Sequence, residues 1–288
     1  MNNNWPRVLM IGSGHLANLS ISSAKELGIE LITCDQNKNI NEVLELAKTC
    51  DVVTFETNEI SETLINEIEK HGITVRPSLR SFKQIKEFES GLNENHHYGV
   101  LVARSPHGQI STWAPAEFKL TPDQNLEVFT PALSEALSQA AQNLAIEIAG
   151  EINLIGTMCL IISEQSGSLS IARVSLGLSD YFNWTIEGAT TSQFEQNLRA
   201  ILDLPLGDTS LTDSIVVSRN IVCGDKLDMY RPYLHLMARS PKMKFHRYKS
   251  TPQPGANVGH LTLLGKNLAQ LRGEALHAAE YFSGVIDE

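Results

Sequence analysis

The sequence predicts an α/β fold that opens with a parallel sheet covered by helices and continues into antiparallel α+β structure. Three observations carry this. Short apolar runs alternate with helical patterns over residues 5–82. Two hairpin patterns, each around a turn-forming segment, lie between Tyr98 and Gly188. A mixed tail of helices and strands then runs from Thr191 onward.

Each element can be justified in order. Val8 to Ile11 is a short apolar run ending in Gly12-Ser13-Gly14, and Leu16, Leu19 and Ala24 recur at helical spacing up to Gly28. Leu31 to Cys34 is a second strand, closed by Asp35. A helix over Ile40 to Lys48, a strand over Val52 to Phe55, a helix over Glu59 to His71 and a strand over Ile73 to Val75 complete the alternation. Gly28 and Gly72 stand at helix C-cap positions. In the second stretch, Val100 to Val102 and Ile110 to Ala114 pair around Ser105 to Gly108. Thr130-Pro131 is expected to open a helix whose apolar face is Leu133, Leu137, Leu144 and Ile148. Thr157 to Ile162 and Leu169 to Val174 form the second hairpin around Ser166-Gly167. The third stretch reads as a helix over Ser192 to Leu202, strands near Ile215 to Val217, Leu234 to Met237 and His260 to Leu264, and a helix over Leu268 to Phe282.

Composition bounds the function. With 288 residues and 42% hydrophobic content, the chain is long enough to bury a sizeable core. The 23 Lys and Arg against 33 Asp and Glu leave a formal net charge of −10, which argues against a nucleic-acid partner. The longest apolar run, Met158 to Ile162, is a buried strand rather than a bilayer span, and the polar start Met1 to Arg7 carries no export signal, so a cytoplasmic protein without membrane contact is expected. Cys34, Cys50, Cys159 and Cys223 are widely spaced and form no CxxC, so reduced, mostly buried thiols are expected, with no metal site.

Gly12-Ser13-Gly14-His15-Leu16-Ala17 fits G-x-G-x-x-A between a strand and a helix, where free N–H groups and a partial positive charge suit an anion. A plain tight turn is the alternative. Asp35 stands where a dinucleotide fold places its ribose-binding acid, which suggests a nicotinamide enzyme; a cap or loop acid would look the same. Adjacent His96 and His97 would face opposite ways on a strand and read as a solvated loop. Arg239, Lys242, Lys244, His246, Arg247 and Lys249 form a basic run interleaved with Phe245 and Tyr248, either a holder of an anionic ligand or partner or a solvated loop. There is no G-x-S-x-G, no HExxH and no P-loop.

Taken together, several blocks resemble a known family. They are Val8 to Leu16, Asp51 to Glu56, Val75 to Ser78, Thr191 to Ala200 (TSQFEQNLRA), Leu204 to Gly207 and Val258 to Gly265. In that order the chain resembles N5-carboxyaminoimidazole ribonucleotide synthase, an ATP-grasp enzyme of purine synthesis. The resemblance implies a Rossmann-like preATP-grasp domain at 1–82, a reduced α+β ATP-grasp remnant at 98–190 and a small C-terminal domain at 191–288. The family uses ATP and magnesium to activate bicarbonate and carboxylate aminoimidazole ribonucleotide, and commonly forms homodimers.

The sequence also departs from that family. The stretch Phe82 to Tyr98 is a short polar bridge where the resemblance implies a whole ATP-grasp subdomain. The family's metal carboxylates on the second hairpin fall on Ile161 and on Ala172-Arg173, its Pro-Arg-Pro-His-Asn-Ser-Gly-His loop on Leu176 to Asn183, its Arg-Lys pair on Ala256-Asn257, and its second acid after the third strand on Asn58. Magnesium needs hard oxygen ligands that these positions lack. The expectation is therefore a degenerate, non-catalytic relative with no cofactor and no catalytic residue of its own. It would bind a phosphorylated small molecule through Gly12, Ser13, Gly14, His15, Leu16 and Asp35, as a homodimer. Two alternatives stay open: a purine-synthesis component completed by another chain, and a nicotinamide-dinucleotide enzyme.

Overall fold

Two sheets carry the computed structural model, which describes residues 5–88, 97–120, 125–225, 230–248 and 253–286. The first sheet is parallel and three-stranded, in the order β2-β1-β3, from β1 (Arg7–Ile11), β2 (Glu30–Cys34) and β3 (Val52–Phe55). β1 is central, and Val8 to Ile11 are all buried, which is why the run is apolar without alternation. The helices α1 (His15–Glu26), α2 (Ile40–Ala47) and α3 (Glu62–Lys70) connect and follow these strands as the sequence predicts. The expected strand at Ile73 to Val75 is reduced to a single bridge between Val53 and Val75. A short helix, α4 (Leu79–Gln84), leads to the end of this region.

The second sheet is antiparallel and larger. It holds β4 (His97–Arg104), β5 (Ile110–Thr112), β6 (Ala116–Leu120), β7 (Leu126–Thr130), β8 (Gly156–Gln165), β9 (Ser168–Leu176), β10 (Ile215–Val222), β11 (Lys244–Arg247) and β12 (Asn257–Gly265). Its order is β11-β12-β10-β7-β6-β4-β8-β9, with β5 on β4. Strands from both sides of residue 190 thus share one ladder, joined where β10 pairs with β7.

The sequence reading passed over β6 and β7. Glu117, Lys119 and Glu127 interrupt their apolar pattern, yet Glu127 is buried between the guanidinium groups of Arg219 and Arg272, 3.1 and 2.6 Å away. Partners distant in sequence make these charges tolerable inside a sheet. Thr130-Pro131 does not open a helix, because Thr130 is the last residue of β7. The helix α5 (Glu135–Glu151) starts after Ser134, whose hydroxyl caps the N–H of Leu137. Its buried face is Ala141, Ala145, Ile148 and Ala149, small residues that let it lie close on the sheet, with Leu137 and Leu144 half-buried at its margin. The stretch at Leu234 to Met237 is likewise no strand. It belongs to the helix α8 (Tyr230–Arg239), where Leu236 is buried and His235 stacks on Tyr281 of the C-terminal helix α9 (Leu268–Ser283).

The core follows the period of the strands. Val100, Val102, Leu160, Ile162, Val174 and Leu176 face α5 and the parallel unit, while Leu101, Ala103, Cys159, Ile161 and Ala172 face the other way, against Trp113, Phe182 and Trp184. The remaining helices, α6 (Thr185–Gly188) and α7 (Gln193–Ile201), cover this second face and the parallel unit. All four cysteines are free thiols, three of them buried and Cys50 half-buried. Among the described residues no helix is long and apolar enough to cross a membrane.

Candidate functional site

The six residues singled out in the sequence do come together. Gly12, Ser13, Gly14, His15, Leu16 and Asp35 line a cleft of roughly 370 Å³ with Ile11, Gln36, Asn37, Glu56, Thr57, Glu59 and Asp180. It lies beyond the C-terminal ends of the parallel strands, where open α/β sheets keep their crevice. β1 delivers the glycine turn, β2 delivers Asp35 and β3 delivers Glu56.

Glu56 organises the cleft. Its Oε2 accepts from the N–H of Gly14 at 2.8 Å and its Oε1 from the N–H of Ala17 at 3.0 Å. The carboxylate therefore sits on the N-terminus of α1, where the helix dipole and the unpaired amides favour negative charge. The glycines are explained by this neighbour. A Cβ at Gly12 would lie 2.4 Å from the Glu56 Cβ, and one at Gly14 would lie 2.5 Å from its Oε1. Gly12 also holds φ of +131°, open only to glycine. A phosphate seated at Gly14 would have to displace this carboxylate. The same holds for a dinucleotide pyrophosphate, and Asp35 is engaged as a turn acid, its Oδ1 accepting from the N–H of Asn37 at 2.8 Å.

A second set of groups forms the wall opposite. The Nε2 of His15 meets Asp180 Oδ1 at 2.5 Å, and its ring stacks on Tyr248 with centroids 4.1 Å apart. Asn183 Nδ2 donates to Asp180 Oδ1 and to Tyr248 Oη, each at 3.1 Å. Tyr248 Oη lies 2.9 Å from His260 Nδ1, and His260 stacks on His246, which meets Glu187 at 2.6 Å. Burial holds the His260 imidazolium far below its ordinary range, helped by the charges of His246 and His15. Burial also pushes the Tyr248 phenol up, with the Asp180 charge acting the same way.

The TSQFEQ block proves to be scaffolding for this wall. Gln193 donates to the carbonyl of Ser179 at 2.8 Å and to Asn183 Oδ1 at 3.2 Å, fixing the turn that carries Asp180. Gln196 makes a reciprocal pair with the backbone of Gly207, and Asn197 Oδ1 accepts from Thr157. Arg76 is spent on the carbonyl of Ile201 at the end of α7.

The second hairpin differs in kind. Ile161 and Ala172 are buried in the cluster with Phe182 and Trp184. Gly99 pairs directly with Ile161, and the ring of Phe182 sits over it, where a Cβ would come within 2.9 Å. Tyr181 stacks on Phe118 at 4.2 Å, and His97 stacks on the same ring at 5.9 Å. Arg173 is exposed, and Cys159, within the cluster, has its thiol pushed up to about 12 by burial.

Two expectations are corrected. His97 begins β4, with Nδ1 at 3.2 Å from Ser163 Oγ, so it is no loop residue; His96 lies outside the described residues. The basic run is a solvated loop only at the exposed turn that carries Lys242. Arg239 ends α8, Lys244, His246 and Arg247 lie on β11, and Tyr248 is buried; Lys249 lies outside the described residues. Glu56, Asp180, Tyr248 and His260 were missed as site residues. Glu56 had a local signal of its own, an acid at the end of the third strand of an alternating unit.

Comparison with known proteins places this geometry. No family model matches the chain. The N5-carboxyaminoimidazole ribonucleotide synthase of Mycobacterium bovis is 34% identical over 201 residues, which is 68% of this chain and 47% of that protein. The chain thus spans about half the length of the curated relatives it matches. Among solved structures, the carboxyaminoimidazole ribonucleotide synthase of Aspergillus clavatus complexed with ATP superposes with a TM-score of 0.84 at 18% identity, over 98% of this chain and 100% of the other. An ADP complex of an N5-carboxyaminoimidazole ribonucleotide synthetase gives 0.83 at 21% identity, over 96% and 98%. These complexes overturn the expectation that a protein of this kind takes no cofactor. The structure speaks to a narrower point. Ile161 and Ala172, inside an aromatic cluster, offer no oxygen ligand to a metal ion.

Proposed function

We propose, from the kinship that sequence and fold show with the N5-carboxyaminoimidazole ribonucleotide synthases, that this chain is a cytoplasmic, non-catalytic relative that keeps a small-molecule cleft. The cleft is the one at Gly12, Ser13, Gly14, His15, Leu16 and Asp35. One observation supports the loss of carboxylation above all. The hairpin face at Ile161 and Ala172 is filled by Phe182 in the niche over Gly99, with Tyr181 stacked beside it. Group transfer from a nucleotide is mostly positioning and charge neutralisation, and that face supplies neither a carboxylate nor room for one. The cleft, in contrast, retains a set of held polar groups.

The test is turnover. The protein is incubated with ATP, magnesium, bicarbonate and aminoimidazole ribonucleotide, and ADP release is followed. The expected result is no substrate-dependent ADP above a protein-free control; release that depends on the ribonucleotide overturns the reading. A homodimer is part of the proposal, and light scattering that finds only a 31.8 kDa species removes it.

A further inference from the structure

We propose that the cleft selects against phosphate and takes a small ligand that presents hydroxyl or amine donors. The inference rests on the cleft being a retained ligand site and concerns what it accepts. Three features of the structure carry it.

The anion seat is already filled. A helix N-terminus behind a glycine turn ordinarily offers its amides to a phosphate. Here the amides of Gly14 and Ala17 are donated to Glu56, and Gly12 and Gly14 lack Cβ atoms because that side chain lies against them. The seat holds an internal anion, fixed by the fold.

The one imidazole is committed elsewhere. Among the described residues, His15 is the only one lining the cleft that can carry positive charge, and no described Lys or Arg lines it. Its Nε2 faces Asp180, and Asp180 is itself held by Asn183. A phosphate would have to compete with a carboxylate at 2.5 Å for that imidazole.

The charged side chains of the lining are almost all acceptors, beside the neutral Ser13, Gln36, Asn37 and Thr57. Asp35, Glu56, Glu59 and Asp180 bring four carboxylates to the cleft against a single histidine. Ionised carboxylates are acceptor-only groups, so they match vicinal hydroxyls and amines and repel a phosphate dianion. The fold's relatives act on a ribonucleotide by their names, so a riboside and its phosphate form the informative pair.

The experiment compares aminoimidazole riboside with its monophosphate by calorimetry on the intact protein. At low salt the riboside should bind about tenfold more tightly. Raising the salt should narrow the gap, since the rim charges are partly solvated. Glu59→Gln removes one exposed rim charge and should narrow it too; Glu56→Gln should narrow it most, and circular dichroism verifies its fold. Should that variant not fold, Glu59→Gln and Asp35→Asn still decide. The proposal is overturned if the monophosphate binds as tightly as the riboside or better, or if neither binds. Ribonucleotide-dependent ADP release would defeat the non-catalytic reading and leave this comparison of two ligands standing.

Discussion

The cleft on the parallel sheet and the face of the β8–β9 hairpin meet at one turn, residues 177–183, and the two have fared differently. In the cleft three of the four carboxylates are held by other polar groups: Glu56 by two amides, Asp180 by His15 and Asn183, Asp35 by its own turn. On the hairpin face two of the polar positions implied by the resemblance are the aliphatic Ile161 and Ala172, clustered with aromatic rings from the same turn, and the third is the exposed Arg173. The contrast has a physical cause. Removing one member of a held network leaves a buried partner unsatisfied, so such networks change as a whole or not at all. An isolated buried carboxylate with no ion to bind is expensive, and a hydrophobic residue in its place relieves the fold.

The strongest way to break this contrast is to put the acid back. Ile161→Glu should destabilise the protein by about 3–5 kcal/mol, or force the new carboxyl to stay protonated. Its folded pKa then lies above the unfolded one, so the deficit grows as pH rises from about 4. Thermal melts at acid and neutral pH read this, and a variant that melts with the parent at both shows the face to be open. On the cleft side, Glu56→Ala should lose about 1–2 kcal/mol, because the buried amide of Ala17 loses its acceptor while water can reach the exposed amide of Gly14; denaturant titration measures it.

A smaller effect sharpens the comparison through pH. His260 is neutral when folded and protonates readily when unfolded, so its depressed folded pKa makes stability complete above about 6.5 and erodes it as pH falls, by up to about 1.4 kcal/mol per unit. His260→Gln should flatten that slope between neutral and mildly acid pH. Tyr248→Phe removes the hydroxyl between Asn183 and His260 and should lower stability by about 1 kcal/mol without altering the slope's direction. The smallest effect is chemical. Cys159, with its thiol pushed up to about 12 inside the cluster, should label with a thiol reagent only on global unfolding, after half-buried Cys50. Early labelling of Cys159 would count against a sealed face.

Much of the scaffold was legible in the sequence. The alternation in the first unit, the Ser166-Gly167 hairpin and the C-terminal helix follow local rules of period and turn chemistry, and so does the gathering of Gly12 to Leu16 with Asp35. What local rules could not show were features that depend on distant partners. β7 carries Glu127, which Arg219 and Arg272 neutralise from far along the chain, and β6 carries Glu117 and Lys119, which pair with each other. Leu234 to Met237 is too short a run to tell a strand from one turn of helix, and α9 decides it. Asp180, Tyr248 and His260 lie in stretches the sequence did mark, Leu176 to Asn183, the basic run and the Val258 to Gly265 block, but their meeting around His15 arises only through the fold.

The continuous antiparallel ladder has a consequence for motion. β10 and β7 share four paired positions, Val216 with Thr130 through Arg219 with Glu127. A hinge at residue 190 would have to break those rungs, so the region beyond it travels with β4 to β9 as one plate. The parallel sheet shares a core with that plate, Leu9, Ile11, Val53 and Phe55 clustering with Val100, Val102, Leu160 and Leu176, and polar links join them as well: His15 with Asp180, the amide of Leu178 on the carbonyl of Glu56, and Arg76 on Ile201. With that core packed, any widening of the cleft is confined to its rim, and the pair His15 and Asp180 is the catch that opening would release.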